Sequence, residues 1–144
     1  RSARILVGVV ITSFLLVEAA TGAEPRAYQV LTEAKAPRAG SAFTGAALTV
    51  FHQERQANGY RSVTLGCTRG TVKVSGRTIR VPVRLVTMRW DPDRGGPVES
   101  VSTCTWSLPR GLAGKRLTAG YTVATVNADG TKAVEGEQLA WTIR

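Results

Sequence analysis

From residue 27 onward, the chain consists of short segments rich in Val, Thr, Leu and Tyr, which Gly, Pro, Asn and Asp interrupt about every ten residues. This spacing is typical of all-β sandwiches and barrels. The predicted strands lie at residues 28–34, 42–53, 61–68, 71–74, 78–90, 98–108, 118–127, 131–134 and 137–144. A small domain needs fewer strands, so we expect some of these segments to be loops. No apolar pattern of helical period follows Glu24.

Apolar residues alternate with other residues most clearly at 63–67, 79–85 and 139–143. A period of two places the apolar side chains on one face of a strand. Within 79–85 the opposite face carries Arg80, Pro82 and Arg84. Because proline cannot donate to a ladder, this segment is predicted to be an edge strand, whose two arginines discourage pairing with other molecules.

Turns are predicted where residue types that tolerate positive φ stand together. They are Asn58-Gly59, Ser75-Gly76, Arg94-Gly95-Gly96-Pro97 and Asp129-Gly130. Asp129-Gly130 lies between two β-like segments and therefore predicts a hairpin.

The first 23 residues have the layout of a secretory signal peptide. Arg1 and Arg4 precede an apolar run at 5–17, and small residues follow up to Ala23. The run is shorter than the about 20 apolar residues that a membrane-spanning helix needs. We predict a signal peptide at 1–23 and an exported domain at 24–144. An uncleaved signal anchor, which would be the only membrane contact, and a buried core element are the alternatives.

Cys67 and Cys104 are the two cysteines of the chain, and each lies in a predicted strand. In an exported protein they are most simply one structural disulfide, because redox motifs place cysteines close in sequence and metal sites need further ligands. Trp106 shares a strand face with Cys104, so it is expected to pack beside the disulfide in the core. Trp141, on the alternating face of the last segment, is also assigned to the core.

The run from Cys104 to Val123, with residues 36–43 and 139–144, resembles bacterial immunoglobulin-like sandwich modules of exported proteins. In such modules a Pro-x-x-Gly turn, here Pro37 to Gly40, introduces the second strand, and one cysteine of each sheet joins across the core. The resemblance implies an immunoglobulin-like antiparallel β-sandwich with an adhesive or structural role. It supplies no catalytic residue.

The formal net charge is +9, and it falls by one when Arg1, Arg4 and Glu18 leave with the signal peptide. A basic surface attracts anions such as wall polymers or lipid head groups. The alternative is coding bias from a GC-rich genome, since arginine outnumbers lysine 15 to 4. The charges are scattered, so no segment resembles a nucleic-acid-binding arm. We expect a protein or an anionic cell-surface polymer as partner, and no specific nucleic acid.

His52 is the sole histidine and stands at a predicted strand end, so it is interpreted as a solvated surface residue. A serine hydrolase would also need a nucleophile, and the chain has no Gly-x-Ser-x-Gly motif. Asp91 and Asp93 are close enough in sequence for a paired-carboxylate site. They lie beside Arg89 and Arg94 in a Pro- and Gly-rich loop, where salt-bridged turn residues are expected. We predict no enzyme activity and no cofactor.

The loop after Trp90 also begins like a calcium-binding loop, with oxygen ligands at alternate positions. The match is partial, because Gly95 occupies a position that needs an oxygen ligand and Ser102 occupies the position of the closing glutamate. A type I turn capped by aspartate is the alternative, and no metal is predicted.

Tryptophan and arginine are enriched at interaction hot spots, so this loop is also a candidate contact surface. The candidate contact loop comprises Arg89, Trp90, Asp91, Asp93 and Arg94. The turn at 110–116 is a second contact element. The sequence thus predicts an exported, non-enzymatic module for surface contact, adhesion or structural support. The alternatives are a small secreted hydrolase or inhibitor that uses the Asp91 loop, and a polyanion-binding protein.

Overall fold

The computed structural model describes residues 26–144, which form two antiparallel sheets around a shared apolar core. The first sheet contains β1 (Tyr28–Thr32), β2 (Ala42–Phe51), β6 (Val83–Arg89) and β7 (Val98–Ser107), in the order β1-β2-β7-β6. The second sheet contains β3 (Tyr60–Cys67), β4 (Gly70–Val74), β5 (Arg77–Val81), β8 (Arg116–Asn127) and β9 (Lys132–Thr142). The all-β prediction is confirmed, whereas the predicted signal peptide at 1–23 lies outside the described residues.

Strand β8 is the centre of the second sheet. It pairs with β9 along one edge, and with β3 and β4 along the other. Strand β5 completes the sheet by pairing with β4 through a two-residue turn at Ser75-Gly76, in which both residues have positive φ. This is the geometry of a type I′ hairpin turn.

The predicted hairpin at Asp129-Gly130 is confirmed, since it joins β8 to β9. The Asp129 carboxylate accepts a hydrogen bond from the Thr131 N–H at 2.9 Å. The two segments predicted after this turn, at 131–134 and 137–144, are however a single strand, Lys132–Thr142. Gly136 interrupts the alternation of side chains there without interrupting the backbone ladder.

The prediction of one strand at 78–90 is wrong, because Pro82 divides it. Strand β5 ends at Val81 in the second sheet and β6 begins at Val83 in the first. Proline has no N–H for a ladder, so the chain changes sheets at this residue. Both strands lie at sheet edges, as expected, but Arg80 and Arg84 now belong to different sheets. Leu85, which belongs to the predicted apolar face of this segment, is 45% exposed.

A short helix, α1 (His52–Ala57), connects β2 to β3 and was not predicted. It buries no side chain, so it has no apolar period that a sequence pattern could reveal. Its residues are mostly good helix formers, and the helix ends at Asn58 and Gly59, whose φ is +74°. Within residues 26–144, no helix is long and apolar enough to cross a membrane.

The predicted disulfide is confirmed. Cys67 of β3 and Cys104 of β7 are bonded, so the bridge links one sheet to the other across the core. Trp106, two residues after Cys104 on the same face of β7, is completely buried. Its indole N–H donates to the carbonyl of Thr68, just after Cys67, at 2.9 Å. The bridge and the indole therefore hold β7 against the second sheet at the same place.

An aromatic cluster fills the core beside the disulfide. The rings of Trp106 and Trp141 lie 5.9 Å apart, and Phe43 meets Trp141 edge-on at 4.9 Å. Gly45, at a bulge in β2, is packed beneath these rings. A Cβ there would lie 2.9 Å from a ring atom of Phe43 and of Trp106. Only glycine leaves room for the three aromatic rings at this point.

Candidate binding cleft between the two sheets

An open cleft of about 170 Å³ lies where β3 of the second sheet faces β6 and β7 of the first. Its lining is almost entirely charged or hydroxyl-bearing. The charged residues are Arg55, Arg61, Arg89 and Glu99, and the remaining lining residues are Ser62, Val63, Thr64, Thr87, Ser100 and Ser102. Arginine thus outnumbers carboxylate three to one in the lining.

Alternation along β7 explains why the space between the sheets becomes polar at this end. Ser100, Ser102, Cys104 and Trp106 are the buried positions of β7 and share its inner face. Strand β6 places Thr87 opposite Ser102, and their hydroxyl oxygens lie 2.8 Å apart. Small hydroxyl side chains therefore replace the indole and the disulfide at this end, which leaves the cleft open.

Glu99 is held by two groups from the α1 segment. Its Oε1 accepts a hydrogen bond from Arg55 Nε at 2.7 Å and lies 3.1 Å from His52 Nδ1. Arg55 also donates to the carbonyls of Tyr60 and Arg61, at 2.8 and 3.2 Å. His52, predicted to be a solvated residue, instead contacts a carboxylate and is only partly exposed. The α1 segment is thereby fastened to both sheets.

Burial alone would raise the pKa of the Glu99 carboxyl, but the hydrogen bonds and charges of Arg55 and His52 outweigh it and hold this pKa below its ordinary value. Replacing Glu99 with glutamine (Glu99→Gln) should lower the free energy of unfolding by about 1 kcal/mol near neutral pH. The pKa of Glu99 is lower in the folded state than in the unfolded state. This stabilisation is therefore complete when the pH is above the ordinary carboxyl pKa, and it is lost as the pH falls through the pKa of Glu99 in the folded state.

Urea unfolding of the wild type and Glu99→Gln, at about pH 7 and about pH 3, measures this pH dependence. The difference in unfolding free energy should shrink at the lower pH. Asp93→Asn, which removes an exposed carboxylate, serves as the control and should show no such difference. An equal effect of Glu99→Gln at both pH values would contradict the role assigned to the ion pair.

Two arginines of the cleft have no carboxylate partner. Arg61 donates one hydrogen bond, from NH2 to the Ala128 carbonyl at 2.8 Å. The side chain of Arg89 makes no hydrogen bond or ion pair within residues 26–144, although its backbone pairs with Ser100 of β7. Since Glu99 is bonded to Arg55, the charges of Arg61 and Arg89 are not neutralised within the cleft. The cleft is thus a positively charged cavity surrounded by hydroxyl groups.

The candidate contact loop borders this cleft, although the structure brings only one of its residues into the lining, Arg89 at the end of β6. Trp90 is 43% exposed, and its N–H donates to the Glu99 carbonyl at 3.0 Å. The expected salt bridges of Asp91 and Asp93 do not form among the described residues.

The Asp91 carboxylate instead accepts a hydrogen bond from the Asp93 N–H at 2.9 Å and caps a 3-10 turn at Pro92–Arg94. This is an aspartate-capped turn, the alternative to a calcium loop. No cluster of His, Cys, Asp and Glu suited to a metal ion occurs in the part of the chain that the structure describes.

The second predicted contact element, the turn at 110–116, lies far from the cleft. It follows the C-terminal end of β7, whereas the contact loop precedes the N-terminal end of this ten-residue strand. Gly114 and Lys115 in the turn hydrogen-bond to Ile143 at the end of the chain. The two elements therefore do not form one surface.

Arg89 was predicted from the sequence as a contact residue, whereas Arg61 and the serines of β7 were not. The only local signal was that Ser100 and Ser102 continue the inward face of Cys104 and Trp106. Nothing local indicated that β3 would bring Arg61 opposite them. No protein-family model matches the sequence, and comparison with curated proteins finds no similar sequence.

Proposed function

We propose that residues 24–144 form an exported, non-enzymatic, immunoglobulin-like sandwich module that binds an anionic partner through the arginine-lined cleft. The observation that carries this proposal is the pair of unneutralised guanidinium groups, Arg61 and Arg89, in a cavity lined by hydroxyl groups. The disulfide supports an extracytoplasmic location, because such bonds persist in oxidising compartments. The two antiparallel sheets support the sandwich assignment.

The chemistry of the lining favours binding of carboxylate, sulfate or phosphate groups. Guanidinium groups hold these anions by paired, charge-assisted hydrogen bonds. Serine and threonine hydroxyls at the cleft, such as Ser100 and Thr87, are additional donors. The excess positive charge of the whole chain adds long-range attraction for an acidic partner. The anionic group of a protein or of a cell-surface polymer fits this arrangement.

The test uses heparin, a sulfated polymer, as the probe. Arg89→Gln and Arg61→Gln should each weaken binding about fivefold at low salt, the equivalent of about 1 kcal/mol. Arg77→Gln, on β5 and outside the cleft, removes the same charge and serves as the matched control, with an expected change within about twofold. Titration by fluorescence anisotropy measures the affinities. Wild-type affinity should fall steeply with rising salt concentration.

An equal loss of heparin affinity in Arg89→Gln and Arg77→Gln would show that heparin binding depends only on the overall charge. That result would contradict binding at the cleft. The Arg89 side chain makes no hydrogen bond or ion pair within residues 26–144, so its replacement by glutamine is not expected to disturb the fold. Thermal unfolding of each variant checks this point.

A further inference from the structure

Strand β6 has one open edge. It is the last strand of the first sheet, paired with β7 on one side only. No other strand within residues 26–144 pairs with its second edge. The outward N–H and C=O groups of β6 are therefore available to another chain.

This edge is less protected than the sequence suggested. Proteins usually shield sheet edges with charge or proline. Pro82 and Arg84 do this at the start of β6, but Arg80 lies in the other sheet. From Leu85 to Met88 the edge carries no charge, and its apolar side chains are well exposed, with Met88 at 58%.

The two faces of β6 differ in chemistry. Thr87 and Arg89 lie on the inner face and line the cleft, together with Arg61 of β3. Val86 and Met88 alternate with them and lie on the outer face. Cross-strand neighbours share a face of the sheet. Every second side chain of a strand added to β6 would consequently point toward the mouth of the cleft.

We propose that the anionic partner is an extended polypeptide that pairs with the open edge of β6. Its acidic side chains point toward Arg89 and Arg61, and its apolar side chains lie over Val86 and Met88. Charge complementarity selects this occupant, because β6 carries arginines and no carboxylate. A second copy of this basic chain would bring like charges together. The inference rests on the proposed function and names the partner of the same cleft.

The probe is a fluorescein-labelled peptide of about nine residues in which valine and glutamate alternate. Two further versions carry N-methyl groups, one on every valine nitrogen and one on every glutamate nitrogen. Only alternate residues of a strand direct their N–H groups toward β6. One of the two methylated peptides should therefore bind about tenfold more weakly than the unmethylated peptide, as measured by anisotropy.

Val86→Asp should weaken binding of the unmethylated peptide about tenfold, because it places a negative charge on the docking edge. Val134→Asp is the matched control, since Val134 is an exposed valine on β9, an edge strand of the other sheet. Its effect should stay within about twofold. Replacing the glutamates of the peptide with glutamine should also remove most of the binding.

The outcomes separate the two proposals. If heparin binding depends on Arg89 but both methylated peptides bind as well as the unmethylated one, strand pairing is overturned and the cleft remains a polyanion site. Strand pairing is also overturned if heparin binding depends on Arg89 but the unmethylated peptide does not bind. If neither probe responds to Arg89→Gln, the proposed function itself fails.

Discussion

Removal of the Cys67–Cys104 disulfide, in the double variant Cys67→Ala and Cys104→Ala, is expected to lower the free energy of unfolding by about 4 kcal/mol. The bridge spans 37 residues of sequence and joins β3 to β7, which lie in different sheets. Without it, the unfolded chain regains the freedom that this closed loop removes. Domains are typically stable by only about 5–15 kcal/mol, so the loss would be a large part of the total.

Urea unfolding of the oxidised wild type and the double variant measures this effect, with tryptophan fluorescence and far-ultraviolet circular dichroism as independent probes. The wild type after reduction and thiol alkylation is the companion sample. A loss below about 1 kcal/mol would contradict the role assigned to the bridge. It would mean that residual structure restricts the unfolded chain without the bridge nearly as much as the covalent bond does.

The second large effect is expected at Trp106. Trp106→Ala should lower the free energy of unfolding by about 4 kcal/mol, because a completely buried indole is replaced by a cavity. The change also leaves the carbonyl of Thr68 without its indole donor. Trp141 would lose its neighbour at 5.9 Å at the same time.

Trp90→Ala provides the control for Trp106→Ala. Trp90 is 43% exposed at the start of the contact loop, so its loss should change the stability by no more than about 0.5 kcal/mol. Urea unfolding followed by circular dichroism is the suitable measurement, because both substitutions alter the fluorescence. Equal destabilisation by the two substitutions would contradict the position of Trp106 at the centre of the core.

Local sequence signals were enough for much of the fold. The Asp129-Gly130 hairpin and the Ser75-Gly76 turn follow from residue types that accept positive φ. Pro82 was correctly interpreted as a mark of a sheet edge, but a single proline in an alternating segment does not reveal that the chain crosses to the other sheet. Helix α1 was missed because a helix that buries nothing has no apolar period.

The candidate cleft was much harder to predict than the fold. Arg89 was singled out because it stands beside Trp90 in a loop rich in proline and glycine. Its partner in the cleft, Arg61, is 28 positions earlier in the sequence and belongs to the other sheet. The contact of Glu99 with His52 joins residues 47 positions apart. Such neighbours depend on how two sheets stack, which short sequence patterns do not encode.

The sequence by itself determined that the described chain is all-β and that Cys67 and Cys104 pair. It also determined the position of the clearest hairpin turn, at Asp129-Gly130. These features depend on period-two alternation, on turn chemistry and on the presence of only two cysteines, all of which are visible along the chain. The tertiary structure alone decided which strands share a sheet, that Arg61 and Arg89 line the same cleft, and that β6 keeps an open apolar edge. These features arise from packing between segments distant in sequence, where the shape of the whole core decides which side chains become neighbours.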